Sequence, residues 1–97
     1  MIDYKRGDVV IIEYEDKEIS KNKNKILITY VVETKQGKQP LAVWYDDEDL
    51  KGRPYQISKN QIITEILERN IDVDKYIDEA EKIRNAKLYE LEKRRYE

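Results

Sequence analysis

The segment AVWYDDEDLKGRPY, residues 42–55, brings aromatic rings and carboxylates close together in the chain. Aromatic rings provide contact area for a partner, and a cluster of carboxylates selects a basic one. The side chains that suit such a protein-binding surface are Trp44, Tyr45, Asp46, Asp47, Asp49, Arg53 and Tyr55. The competing interpretation is a hairpin whose rings belong to the core and whose acids are solvated, and the sequence leaves both open.

A second candidate site is a row of lysines in the polar segment SKNKNK. Alternate positions of an extended loop place ammonium groups where they could meet successive phosphates of a nucleic acid. The residues of this predicted nucleic-acid site are Lys21, Lys23 and Lys25, with Arg94 and Arg95 near the end of the sequence. A solvated loop is the alternative, since the net charge of −2 provides no general attraction for nucleic acid.

The residue types present exclude most catalytic and metal chemistry. The chain has no histidine and no cysteine, so it cannot form a Ser-His-Asp triad, a cysteine nucleophile, a zinc-thiolate site or a disulfide. The segment DEDLKG resembles the start of a calcium loop, but Lys51 and Ser58 occupy positions that need oxygen ligands or a glutamate. We therefore predict no enzyme activity, no metal and no cofactor.

Length and composition indicate one small domain. With 97 residues the chain suits a single core, and 39% of the residues are hydrophobic and occur in dense runs, although 41% are charged. No run is long enough to span a bilayer, and the first residues are polar, so we expect a cytoplasmic protein. Abundant Lys, Ile, Asn and Tyr are typical of AT-rich coding sequence, which favours a phage or mobile-element accessory protein.

Five short β-rich segments precede a helical one. Strands are predicted at about 7–14, 26–33, 41–45, 54–57 and 61–66, with a long polar loop after the first. Strict alternation places Ile26, Ile28, Tyr30 and Val32 on one face of the second strand. Alternation also places Trp44 and Tyr45 on opposite faces, one outward and one in the core.

The last predicted strand has a competing interpretation as a helix. Apolar residues at Ile62, Ile63, Ile66 and Leu67 follow the spacing of a helical face, and Ser58 with Gln61 has the spacing of a capping box. The density of β-branched residues favours the strand.

From Asp72 the pattern predicts one long amphipathic helix. Its apolar stripe contains Val73, Tyr76, Ile77, Ala80, Ile83, Leu88 and Leu91. Such a helix would extend beyond a small domain, so we expect Ile83, Leu88 and Leu91 to form a homodimer interface between antiparallel helices. A bend at Asn85 or a frayed end is the alternative.

The order of these elements resembles an SH3-like barrel over residues 1–68, followed by the helix over 69–97. YKRGDVVIIEY is similar to the first strand of MazF/PemK-type endoribonuclease toxins, and SKNQIITEILERNI resembles their late strand. AVWYDDEDLKG followed by YQISKNQI is similar to Tudor- and KOW-like modules. The toxin resemblance implies ribonuclease activity, but the catalytic Arg and Thr positions of that family have no match here.

These observations favour a non-enzymatic interaction or regulatory module that binds a host or self protein. A nucleic-acid-binding regulator is the first alternative, and a diverged MazF-like endoribonuclease is the second.

Overall fold

Five antiparallel strands form one sheet, and two helices follow them in the chain. The computed structural model describes residues 2–16, 18 and 23–95. The strands are β1 (Val9–Tyr14), β2 (Asn24–Thr34), β3 (Gly37–Trp44), β4 (Pro54–Tyr55) and β5 (Gln61–Glu68). Their order across the sheet is β4-β3-β2-β1-β5, and in the described part of the chain this sheet does not close into a barrel. The predicted mainly β fold with a C-terminal helix is confirmed, whereas the barrel is not.

Both faces of the sheet are apolar because β1 and β2 carry consecutive β-branched or aliphatic residues. Each face has its own cluster of buried side chains. The first face contains Val9, Leu27 and Val43, which pack with Val73 and Ile77 from the C-terminal segment. The second face contains Val10, Ile12, Ile26, Ile28 and Ala42.

A bulge in β2 changes which side chains share a face. Ile28 pairs with Ala42 and Tyr30 pairs with Leu41. Thr29, between them, is therefore an extra residue that has no paired residue on β3. Beyond the bulge, Val31 rather than Tyr30 packs against the second-face cluster. The predicted alternation is therefore wrong after Ile28, since one extra residue exchanges the two faces.

The segment 61–68 is a strand, as favoured, and its helix-like spacing has a structural cause. Ile11 pairs with Glu65 and Ile12 pairs with Ile63, so two residues of β1 are matched by three of β5. The extra residue is Thr64, and it brings Ile63 and Ile66 to the same face. A bulged strand has thus the three-residue spacing that also suits a helix.

The single long helix predicted from Asp72 is wrong. Two helices are present, α1 (Val73–Tyr76) and α2 (Glu79–Arg95). Ile77 ends α1 with an extended backbone, at ψ 158°, and is buried against the first face. Asp78 then begins α2, because its Oδ1 accepts a hydrogen bond from the Glu81 N–H at 2.9 Å. No helix in the described residues is both long and apolar enough to cross a membrane.

The break also reverses the expected orientation of α2. Among the described side chains of α2, the buried ones are the polar Glu81 and Asn85, and the Asn85 Nδ2 donates to the Thr29 carbonyl at 3.4 Å. Ile83 is 54% exposed and Leu91 is 59% exposed, while Leu88 is half-buried. The predicted continuous apolar stripe therefore ends with α1.

Gly7 connects the N-terminal segment to the segment that precedes α1. Its N–H donates to the Ile28 carbonyl at 2.9 Å, and its carbonyl accepts from the Ile71 N–H at 3.0 Å. Its φ is +92°, and a Cβ at this position would lie 3.0 Å from the Ile71 carbonyl oxygen. Only glycine fits this close approach without strain.

Alanine substitutions at two glycines test this contact. Gly37 also has a positive φ, +110°, but a Cβ there would meet nothing within 4 Å. Both substitutions should cost roughly 1–2 kcal/mol for the backbone conformation. Gly7→Ala should cost about 1 kcal/mol or more in addition, because it also overpacks. Urea unfolding followed by Trp44 fluorescence measures both, and equal losses would contradict the contact.

Candidate functional site

The acids of segment 42–55 belong to the connection between β3 and β4. The Trp44 N–H donates to the Arg53 carbonyl at 2.9 Å, which confirms a hairpin. The Asp47 Oδ1 accepts hydrogen bonds from the Asp49 and Leu50 N–H groups at 2.9 and 3.1 Å, so this carboxylate holds the turn itself. Asp46 forms an ion pair with Lys25 at 3.1 Å. Two of the three predicted acids therefore have intramolecular partners.

The aromatic residues of this segment divide between the two faces of the sheet. Trp44 lies opposite Ile26 and meets Tyr55 edge-to-face, with ring centroids 4.7 Å apart. Tyr45 packs against the first face and stacks on Tyr76 at 5.3 Å. The prediction that Trp44 and Tyr45 lie on opposite faces is confirmed. The prediction that one ring points outward and the other lies in the core is wrong, because both rings are half-buried. The seven predicted residues do not form one surface, and the Arg53 side chain is exposed at the end of the hairpin.

Hydrogen bonds lock the tyrosines on the first face. The Tyr45 hydroxyl donates to the Glu68 Oε2 at 3.0 Å, and the Tyr76 hydroxyl donates to the Tyr45 carbonyl. Burial is the main cause that raises the pKa of Tyr76 to about 12, and the neighbouring Tyr45 and Asp46 add to it. The hydrogen bond to Glu68 raises the pKa of Tyr45. These hydroxyls stabilise the fold as neutral donors and are not poised for acid–base chemistry at neutral pH.

An open groove of about 1030 Å³ crosses the second face of the sheet. Ile12 and Ile63 contribute apolar side chains from β1 and β5. Tyr4, Tyr55 and Ile57 are half-buried and also line it. Of the seven residues predicted for partner binding, only Tyr55 lines this groove.

Side chains of β2 and β5 hold the Tyr55 hydroxyl by hydrogen bonds. It accepts hydrogen bonds from the Asn24 Nδ2 at 3.2 Å and from the Gln61 Nε2 at 2.8 Å. The Gln61 Oε1 in turn accepts from the Ser58 N–H at 3.0 Å. This chain of contacts fixes the orientation of the Tyr55 ring relative to β5.

The rim of the groove is polar and mostly uncharged. Its exposed polar side chains include Gln39, Gln56, Ser58 and Lys59. Amide and hydroxyl groups both donate and accept hydrogen bonds, so they can pair with either group of a peptide backbone. No carboxylate is among the described residues that line the groove.

The residues predicted for nucleic acid are only partly placed by the structure. Lys25 pairs with Asp46, and Lys23 lies 3.8 Å from Glu13. Lys21 lies outside the described residues, as do the side chains of Arg94 and Arg95. The two described lysines are thus next to carboxylates, which weakens their attraction for phosphate.

The sequence carries no periodic pattern that marks Tyr4 or the rim amides as groove residues. Ile57 was predicted in a strand over 54–57, but β4 ends at Tyr55 and Ile57 lines the groove from the segment after it. Within the described part of the chain, no group of three or more acidic side chains is placed to hold a metal ion. No known family model matches the sequence, and neither the curated proteins nor the solved structures include a match to the chain.

The tyrosine pair gives a testable pH dependence. Tyr76→Phe removes the hydrogen bond to the Tyr45 carbonyl and should lower the free energy of unfolding at pH 7 by about 1 kcal/mol. Because the pKa of Tyr76 is higher in the folded chain than the value near 10 of an unfolded one, its stabilising effect is complete below pH 10. That effect is lost as the pH rises from about 10 to about 12.

Urea unfolding of both proteins across this pH range measures the effect. The variant should lose less stability than the parent between pH 10 and 12, because one of the contributing hydroxyls is gone. Tyr89→Phe is the matched control, since Tyr89 is 59% exposed. An identical pH profile for parent and Tyr76→Phe would contradict the account of this pair.

Proposed function

We propose that this protein is a non-enzymatic binding module that holds an extended segment of a partner protein in the groove of the second face. The observation that carries the proposal is the groove itself, with an apolar floor and a rim of amide and hydroxyl groups. An extended peptide has the matching chemistry, because its side chains bury apolar area while its backbone needs hydrogen-bond partners.

The open shape of the groove favours a peptide over a small metabolite. Pockets for small molecules enclose about 300–1,000 Å³ and surround most of the ligand. This groove, at about 1030 Å³, is at the upper end of that range, but it is partly open to solvent and does not surround a ligand. A polymer segment can fill such a shape, whereas a small ligand would remain largely exposed.

The charges around the groove favour a protein over a nucleic acid. Its lining includes two cations, Lys59 and Arg84, and Arg84 lies 3.5 Å from a Glu81 carboxylate oxygen. Binding to a phosphate backbone requires several cations that are free to replace counterions. The nucleic-acid alternative therefore has less support from the arrangement of charges than the peptide has from the groove.

The proposal includes an SH3-like architecture that is open on one side. Four consecutive strands pair in series and the fifth pairs with the first, which supports that assignment. It also includes a cytoplasmic location, which suits a chain without cysteine. The proposal also includes binding of a second copy of the chain, through a different surface on α2.

A displayed library of random 12-residue peptides, selected against the purified protein, tests the proposal. Enriched peptides should bind with about micromolar affinity, as is common for short segments in shallow grooves. Chemical shift changes in the labelled protein should centre on Tyr4, Tyr55, Ile57 and Ile63. Ile57→Lys should weaken binding at least tenfold, because it places a charge on the apolar floor.

Leu67→Lys is the matched control, because Leu67 is 40% exposed on β5 and does not line the groove. It should leave peptide affinity within about twofold of the parent, since it changes charge outside the site. Thermal unfolding of both variants separates lost binding from lost folding. Two outcomes count against the proposal: no enriched peptide, or shift changes that centre on another surface.

Single-stranded DNA and RNA 20-mers are tested in parallel at two salt concentrations. Tight binding that weakens steeply with salt, together with shift changes around Lys23 and Lys25, would replace the peptide proposal by the nucleic-acid alternative.

A separate experiment tests the absence of ribonuclease activity. Arg6 has structural partners, because its Nε donates to the Thr29 carbonyl at 3.0 Å and it pairs with Asp74 at 3.0 Å. Because these contacts occupy the Arg6 guanidinium, we expect the purified protein to leave a labelled structured RNA intact. Cleavage that disappears in Arg53→Ala, while unfolding stays unchanged, would instead establish the endoribonuclease alternative.

A further inference from the structure

The outer side of α2 presents apolar side chains to solvent. Ile83, Ala86 and Leu91 line a shallow depression of about 440 Å³, together with the stems of Lys87 and Glu90. Ile83 and Leu91 are each more than half exposed. Ile83 and Leu91 lie about two turns apart on one helix with Ala86 between them, and exposed apolar patches of this kind mark interaction surfaces.

The sheet cannot cover this surface because α2 is anchored by its opposite side. Asn85 is 7% exposed and donates to the Thr29 carbonyl, and Glu81 is 8% exposed. Rotating Ile83 toward the sheet would move both polar residues into solvent and break that hydrogen bond. The sheet and the other described elements therefore leave the apolar side of α2 exposed.

We infer that the cover is a second copy of this chain, with the two α2 helices antiparallel and centred between Leu88 and Tyr89. In this register Leu91 lies at the same level along the helix pair as Ala86 of the partner subunit, and the twofold axis repeats this relation. Lys87 lies opposite Glu90 of the partner subunit, which gives two ion pairs per dimer.

Charge is the reason for choosing a second copy in this orientation. Lys87 and Glu90 are exposed, and neither forms an ion pair with another described residue, whereas Lys82 and Arg84 on the same helix both do. A parallel pair would place each Lys87 opposite the partner's Lys87. The antiparallel register instead pairs opposite charges, which lie between the apolar side chains of Ala86 and Leu91 on the helix surface.

The interface is small, which sets the expected affinity. A helix of 17 residues extends about 25 Å, so the contact lies at the small end of specific interfaces. The dimer should dissociate with a Kd of about 10–100 micromolar, as weak transient interfaces do. This inference does not depend on the peptide groove, since the two use different residues.

Analytical ultracentrifugation of the full chain, from about 5 to 500 micromolar, tests the inference. The parent should change from monomer to dimer across this range. Leu91→Asp should weaken the dimer at least tenfold. Tyr89→Asp is the matched control, because Tyr89 is as exposed as Leu91, at 59%, but lies about 120° around the helix from Ile83. It should leave the Kd within about twofold.

Charge reversal tests the register. Lys87→Glu and Glu90→Lys should each weaken the dimer, since each creates two like-charge contacts. The double variant restores opposite charges and should recover the parent Kd within about threefold. Circular dichroism confirms that each variant is folded. A parent that stays monomeric at 500 micromolar, equal effects of the two aspartates, or a double variant that does not recover would each overturn the inference.

Discussion

The position of the helices on the sheet depends on the hydrogen bonds that the Thr29 carbonyl oxygen accepts. Thr29 is the extra residue of the bulge in the central strand β2, so its carbonyl can accept hydrogen bonds from outside the sheet. It accepts one from Arg6 at 3.0 Å and one from Asn85 at 3.4 Å. Arg6 also pairs with Asp74 in α1. One backbone atom thus links the N-terminal segment, the sheet and both helices.

This anchor determines which hydrophobic surfaces remain uncovered. Asn85 holds α2 by a polar contact, and its Oδ1 has no hydrogen-bond partner among the described residues, so the side chain contributes more to orientation than to stability. Both α1 and the residue that ends it, Ile77, cover the first face of the sheet. On the second face, where the groove lies, Arg84 is the one described residue of α2 in the groove lining. The polar attachment of α2 through Asn85 is therefore consistent with both the groove on the sheet and the exposed apolar side chains of α2.

The sequence predicts which segments form strands and helices, but it predicts poorly which side chains face which side of each element. Five strands, the hairpin of residues 42–55 and the C-terminal helical region follow from composition and period. The bulge at Thr29 leaves no mark on the pattern, yet it exchanges the faces of Tyr30 and Val31. Asp78 has the chemistry of a helix N-cap, but it lies inside a continuous helical period, which concealed the break. Tyr4 and Ile57 line the groove from irregular segments, for which no period exists.

Relaxation of isoleucine δ1-methyl groups by a soluble gadolinium chelate, measured on dilute monomer, tests the central claim most directly. The claim is that α2 presents apolar side chains to solvent while the cluster on the second face of the sheet stays buried. Ile83 should relax fastest, at 54% exposed, followed by Ile62, at 43% exposed, whereas Ile26 and Ile28, at 0% exposed, should be nearly unaffected. A methyl of Ile83 as protected as that of Ile26 would show that α2 packs with its apolar side inward and would contradict the account.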